Sequence, residues 1–113
     1  MLKKANRLLK KKDFDAVWQK GRSSFDKLLG LKMSANGQET NRFGILVGLK
    51  FSKLAVERNK AKRRLREIIQ QVSPHLKSGH DFAVTVLPAA REREYAELKE
   101  SLLGHLRRLK IFK

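Results

Sequence analysis

The chain has 113 residues, in which 27 Lys and Arg face 11 Asp and Glu for a formal net charge of +16 at pH 7, an excess that points to a polyanionic partner. Hydrophobic residues make up 41% of it, with six Phe, one Trp and one Tyr, more than a disordered basic tail carries; the expectation is one domain over residues 1–113 with a flexible basic N-terminus over residues 1–10. With no cysteine, a disulfide scaffold, a thiolate metal site and a cysteine nucleophile are excluded; no apolar run approaches the roughly 20 residues of a membrane span, so a cytoplasmic protein without membrane contact is expected.

In chain order, Asp13 is placed to cap a short helix ending at Gly21, with Phe14, Val17 and Trp18 on one side. Ser23 to Ala35 alternates loosely and reads as one strand, with Leu29, Leu31 and Met33 on one face. Asn36-Gly37 is a turn signal, and Phe43 to Leu49 resumes as a second, largely buried strand, so the two suggest an antiparallel hairpin. His80 to Leu87 is β-branched and apolar between Ser78-Gly79 and Pro88, the clearest strand in the chain. Arg93 to Leu109 predicts a last helix, with Tyr95, Leu98, Leu102, Leu106 and Leu109 at helical spacing.

The segment before that strand is the most informative. On a helical wheel centred on Ala61, Leu65, Ile68 and Val72 fall within about 40°, with Ile69 at the edge, which makes a core stripe. Lys62, Arg66, Asn59 and Arg63 sweep from about 100° to 200°, while Lys60 and Arg64 occupy the other flank. A solvated basic face is the bland reading. Six cations in the nine residues 58–66 tip the balance to a nucleic-acid surface, because such a face repels itself unless phosphates neutralise it.

The stretch from Lys53 to Glu67, with Arg58-Asn59-Lys60, then Lys62-Arg63 and Arg66-Glu67, resembles the signature of the bacterial ribonuclease P protein subunit. Arg7-Leu8, Lys12-Asp13-Phe14, Lys20-Gly21-Arg22, Phe43-Gly44-Ile45 and Asp81-Phe82 extend the resemblance, in order and spacing, from about Asn6 to Leu109. It implies an α+β fold, a two-layer α-β sandwich of order αβββαβα. In that fold the Ser23 to Ala35 strand is bent or split, and the crossover through the Arg-Asn helix is left-handed, against the usual rule. It implies an accessory subunit of a ribozyme endoribonuclease. The partner catalytic RNA, with its own magnesium, hydrolyses the 5′ leader from precursor tRNA, and the isolated protein is inactive. By the same resemblance Lys53, Arg58, Asn59, Lys60, Lys62, Arg63 and Arg66 meet that RNA. Phe14, Trp18 and Lys50 line a cleft for the single-stranded leader, where stacking tolerates any sequence. Lys60 stands where many members carry Arg, and Leu28 to Lys32 lacks the strand aromatic that many members place in the cleft. No cofactor is expected on protein side chains, and no protein oligomer is predicted.

Two other classes compete. A general basic RNA-binding protein, ribosomal-protein-like or an RNA chaperone, fits the charge and size equally, and only the ordered motif set speaks against it. A protein-only nuclease needs a carboxylate or His cluster, but His75, His80 and His105 have no metal spacing and Asp13 of the Asp13/Asp15 pair reads as a cap. The glycines are too scattered for a phosphate-cradling loop. For Phe14, spacing alone favours core packing over leader contact.

Overall fold

A strand apolar on both faces belongs in the middle of a sheet, and the His80–Val86 run takes that place in the computed structural model, which describes residues 6–8 and 10–113. The elements are α1 (Lys11–Lys20), β1 (Arg22–Phe25), β2 (Leu29–Ala35), β3 (Arg42–Val47), α2 (Ala55–Val72), β4 (His80–Val86) and α3 (Tyr95–Arg108). Single 3-10 turns follow α2 and β4. The four strands form a mixed sheet of order β1-β2-β4-β3, with β3 and β4 parallel and the other pairs antiparallel.

This order corrects the expected hairpin. The Asn36-Gly37 turn forms, with Gly37 at φ +69°, but β4 lies between β2 and β3 and pairs with both. The hairpin lies one strand earlier. Asp26 Oδ1 accepts the backbone N–H groups of Leu28 and Leu29 at 2.8 and 2.9 Å, a side-chain turn that splits the expected Ser23–Ala35 strand into β1 and β2. The second expected strand is shorter than read, because the chain turns off at Gly48.

Strand alternation sorts the residues between two faces. Leu29, Leu31, Met33, Phe43, Phe82, Val84 and Val86 face α2 and α3 and build the main core with Ala61, Leu65, Ile68, Ile69, Val72, Leu98, Leu102 and Leu106. The whole predicted α2 stripe is therefore buried. Sheet, α2 and α3 make the two-layer sandwich. On the opposite face α1 covers only part of the sheet, through a small cluster of Val17, Leu8, Ala83 and Phe14.

Asp13 does not cap α1, which begins two residues earlier at Lys11. Its carboxylate has a charged partner instead: Arg42 Nη1 lies 3.3 Å from Asp13 Oδ2 while Nε and Nη2 grip Asp81 at 2.8 and 2.7 Å. Hydrogen bonding to Asp81 raises the Arg42 pKa above its ordinary value. The clamp ties α1 to the ends of β3 and β4. Part of the basic N-terminus is tied down as well: Leu8 is buried and donates its N–H to the Phe43 carbonyl at 2.8 Å, and Asn6 Nδ2 donates to the Asn41 carbonyl. Arg7 forms a parallel bridge with Phe43 and Lys10 stands at the start of α1; residues 1–5 and 9 of the flexible segment expected over residues 1–10 lie outside the described residues.

Candidate nucleic-acid interface

The start of α2 is fixed from the loop before it. Phe51 and Ser52 are buried; the Ser52 hydroxyl donates to Glu57 and accepts the Leu54 N–H, and the Ser52 carbonyl accepts from Arg58 Nη1 at 2.8 Å. Arg58 is thus half-buried and partly committed to the loop, while Lys50 and Lys53 stand exposed on it. Beyond Arg58 the helix carries Lys60, Lys62, Arg63, Arg64 and Arg66. The described residues give none of these five an ion pair. Asn59 is exposed beside them.

The two flanks of α2 differ. Lys60 and Arg64 face a concavity of about 310 Å³ shared with Arg91, Arg93, Glu57, Glu92 and Glu94, so that charge there is mixed. Arg91 is already paired with Glu57 at 2.9 Å, and Arg93 with Glu97 at 3.2 Å. Arg63 and Arg66 border a separate surface hollow with Glu67 and Gln70. That flank, with Lys62 and Asn59, offers planar guanidinium forks, mobile ammonium groups and one amide, which suit phosphates and ribose edges.

The second surface is the sheet face under α1. One cross-strand row, Ser23, Lys32, Ala83 and Gly44, runs beneath the helix. Phe14 lies on Gly44 so closely that a Cβ there would sit 2.2 Å from its Cζ; this approach requires glycine. Phe14 is half-buried, while Trp18 is exposed and carries Lys32 Nζ 4.8 Å from its ring centroid. The same Nζ donates to the Trp18 carbonyl at 3.2 Å. The next row, Phe25, Gly30, Thr85 and Leu46, lies outside the cluster beneath α1, with Phe25 exposed, Leu46 and Thr85 half-buried and Gly30 buried under Phe25. Lys50 lies in the turn that follows β3. The aromatic pair expected from the sequence therefore borders an open strip of sheet. Phe25 and Lys32 were not foreseen there, although Asp26 signalled the turn that brings Phe25 opposite Gly30.

His105 is fully buried between α3 and the β1 hairpin. Ser24 Oγ lies 2.7 Å from its Nδ1, and Asp26 Oδ2 lies 3.3 Å from its Nε2 without hydrogen-bond alignment. Burial pushes the His105 pKa below its ordinary value, opposed by the Asp26 charge. Desolvation acts to raise the Asp26 pKa, but hydrogen bonds from Ser101, Leu29 and Leu28 outweigh it and hold the value low. Among the described residues no group of three or more His, Asp or Glu is placed to hold a metal ion, and no helix is long and apolar enough to cross a membrane.

A family model described as Ribonuclease P matches residues 2–110. The ribonuclease P protein component of Pseudanabaena sp. (strain PCC 6903) is 40% identical over 112 residues, covering 98% of this chain and 97% of that protein. That of Alkaliphilus metalliredigens is 35% identical over 106 residues, covering 94% and 95%. In three dimensions the chain is similar to the RNase P protein of Staphylococcus aureus, with a TM-score of 0.88 at 30% identity over 97% of this chain and all of that one. With the RNase P protein of Thermotoga maritima the TM-score is 0.78 at 28% identity over 87% and 92%. Matched along nearly its whole length in sequence and in fold, the chain belongs to the ribonuclease P protein family.

Proposed function

We propose that this chain is the protein subunit of a cytoplasmic ribonuclease P ribonucleoprotein, in which α2 binds the catalytic RNA and the open strip beside α1 holds the 5′ leader of precursor tRNA. The observation that carries this reading is the set of five α2 cations without a carboxylate partner among the described residues, in a chain of net charge +16. Phosphates would neutralise that helix, and the released counterions supply the affinity. Lys53 and Lys50 extend the charge along the loop. Phe14 and Trp18 border the strip and offer ring faces that accept any base. Bond cleavage, and the magnesium it uses, belong to the RNA. The protein contributes placement: it joins leader and catalytic RNA and screens their mutual repulsion, so its effect is largest where magnesium is scarce.

Reconstitution with the cognate catalytic RNA at low magnesium tests this. Precursor cleavage is expected to rise on adding the protein, with no cleavage by the protein alone. Absence of stimulation would leave a general basic RNA-binding protein as the reading.

A further inference from the structure

We propose that Phe25 is a stacking platform for a base of the single-stranded leader, carrying the leader's path from Trp18 across the sheet onto β1. This rests on the leader reading of the open strip. Of the six Phe, Phe25 alone is in the exposed range, 52% accessible, and it belongs to neither apolar cluster. It is nevertheless held in place. Phe25 pairs with Gly30, and a Cβ added to Gly30 would lie 2.5 Å from both Phe25 Cδ1 and Cε1, so the ring rests on bare β2 backbone and buries it. An aromatic ring braced from below and open above is preorganised for stacking.

Its position fits a strand-like ligand. Lys32, which touches Trp18, and Gly30, which Phe25 covers, stand in adjacent rows two residues apart on β2, roughly 7 Å by strand geometry. Trp18, Lys32 and Phe25 therefore form an aromatic, cation, aromatic line on one face of the sheet. Lys27 stands exposed on the turn beside Phe25. The adjacent acid, Asp26, is engaged with the backbone N–H groups of Leu28 and Leu29, the Ser101 hydroxyl at 2.6 Å and His105, so its charge is held within the hairpin. Cations on either side of an exposed ring, with the adjacent carboxylate tied back, suit a base flanked by phosphates.

The test compares Phe25→Leu, which keeps an apolar cover on Gly30 but has no ring face, with Phe25→Trp, which keeps one. Dissociation constants for precursor and mature tRNA are measured with holoenzyme reconstituted on the catalytic RNA, alongside melting temperatures, with Trp18→Leu as the reference for the strip. Phe25→Leu is expected to weaken precursor binding by between about fivefold and a hundredfold, leave mature tRNA unchanged, and be rescued by Phe25→Trp. Unchanged precursor affinity in Phe25→Leu, while Trp18→Leu weakens it, would remove Phe25 from the path and leave the leader reading standing. Parallel weakening of both tRNAs with a lower melting temperature would make Phe25 a packing residue and overturn the proposal. If neither Phe25→Leu nor Trp18→Leu separates precursor from mature tRNA, the leader reading of the strip fails and takes this proposal with it.

Discussion

Arg42 and Arg63 carry the same guanidinium and have opposite surroundings. Arg42 is held by two carboxylates, Asp81 and Asp13, at the junction of α1 with the sheet. Arg63 stands exposed on α2 with no acid bound to it among the described residues, and its neighbours on the same helix, the exposed Lys60 and the half-buried Lys62, Arg64 and Arg66, have none either. With so few acids in the chain, where they are used is informative. Asp13, Asp81, Asp26 and Glu97 are engaged at α1, the β1 hairpin and the start of α3, whereas on the outer face of α2 Glu67 stands beside Arg63 and Arg66 without an ion pair to either. Charge paired inside the protein builds the fold; unpaired charge is available to a ligand.

The sharpest way to break that comparison is to attack the buried side of the exposed helix. Leu65→Ala, at a position with no solvent exposure, is expected to cost on the order of 2 to 5 kcal/mol in thermal or chemical unfolding. Loss of RNA affinity at an unchanged melting temperature would mean that the faces of α2 are assigned backwards. Next in size, Arg42→Leu leaves the Asp81 carboxylate, with a side chain only 7% exposed, without its charged partner and with only the Asn36 amide bonded to it among the described residues, and a loss of about 1 to 3 kcal/mol is expected. Its salt dependence of binding to catalytic RNA should match the parent protein; a flatter slope would place Arg42 among the RNA contacts.

Much of this division can be read from the sequence, because it depends on periodicity within one element. Ala61, Leu65, Ile68, Ile69 and Val72 are spaced for a helix, and all five are buried. What escaped depends on which distant segments meet. Asn36-Gly37 does turn the chain, yet β4, reached only through α2, takes the place beside β2 that β3 was expected to fill. The continuous apolar run of β4 was the available sign, since a strand buried on both faces needs two neighbours. Asp13 read as a cap because its long-range partner Arg42 is 29 residues away. The position of Phe25 is hidden while Ser23 to Ala35 reads as one strand; it depends on Asp26 turning the chain so that Phe25 meets Gly30. On the second surface, Trp18 is exposed as a leader contact requires, whereas Phe14 is half-buried on Gly44 and the Val17, Leu8 and Ala83 cluster.

The unpaired side of the comparison is sharpened by Arg63→Ala with Arg66→Ala. Both lie off the core stripe, so the melting temperature should hold. If each contacts one phosphate, the slope of log affinity against log salt for the catalytic RNA should flatten by roughly 0.9 per contact, about 1.8 for the pair. An unchanged slope would place both side chains away from RNA.

The smallest effect concerns a paired group that titrates. His105, buried against Asp26 and Ser24, has a folded pKa below its ordinary value of 6.5, chiefly because burial disfavours the imidazolium. On acidification the unfolded chain therefore takes up this proton first. The stabilisation from keeping His105 neutral is complete above about pH 6.5 and declines as pH falls through that value toward the folded pKa. Asp26 adds nothing in this window: its pKa is lowered from 3.8, so its contribution is lost only in stronger acid. Between pH 7.5 and 5.5 the protein should lose stability, and His105→Gln should flatten that part of the profile even if it lowers the melting temperature throughout. An equally steep profile in His105→Gln would assign the loss to another group. Because the His105 contacts hold the hairpin that carries Phe25, the parent protein's preference for precursor over mature tRNA should weaken over the same pH range, and less so in the variant.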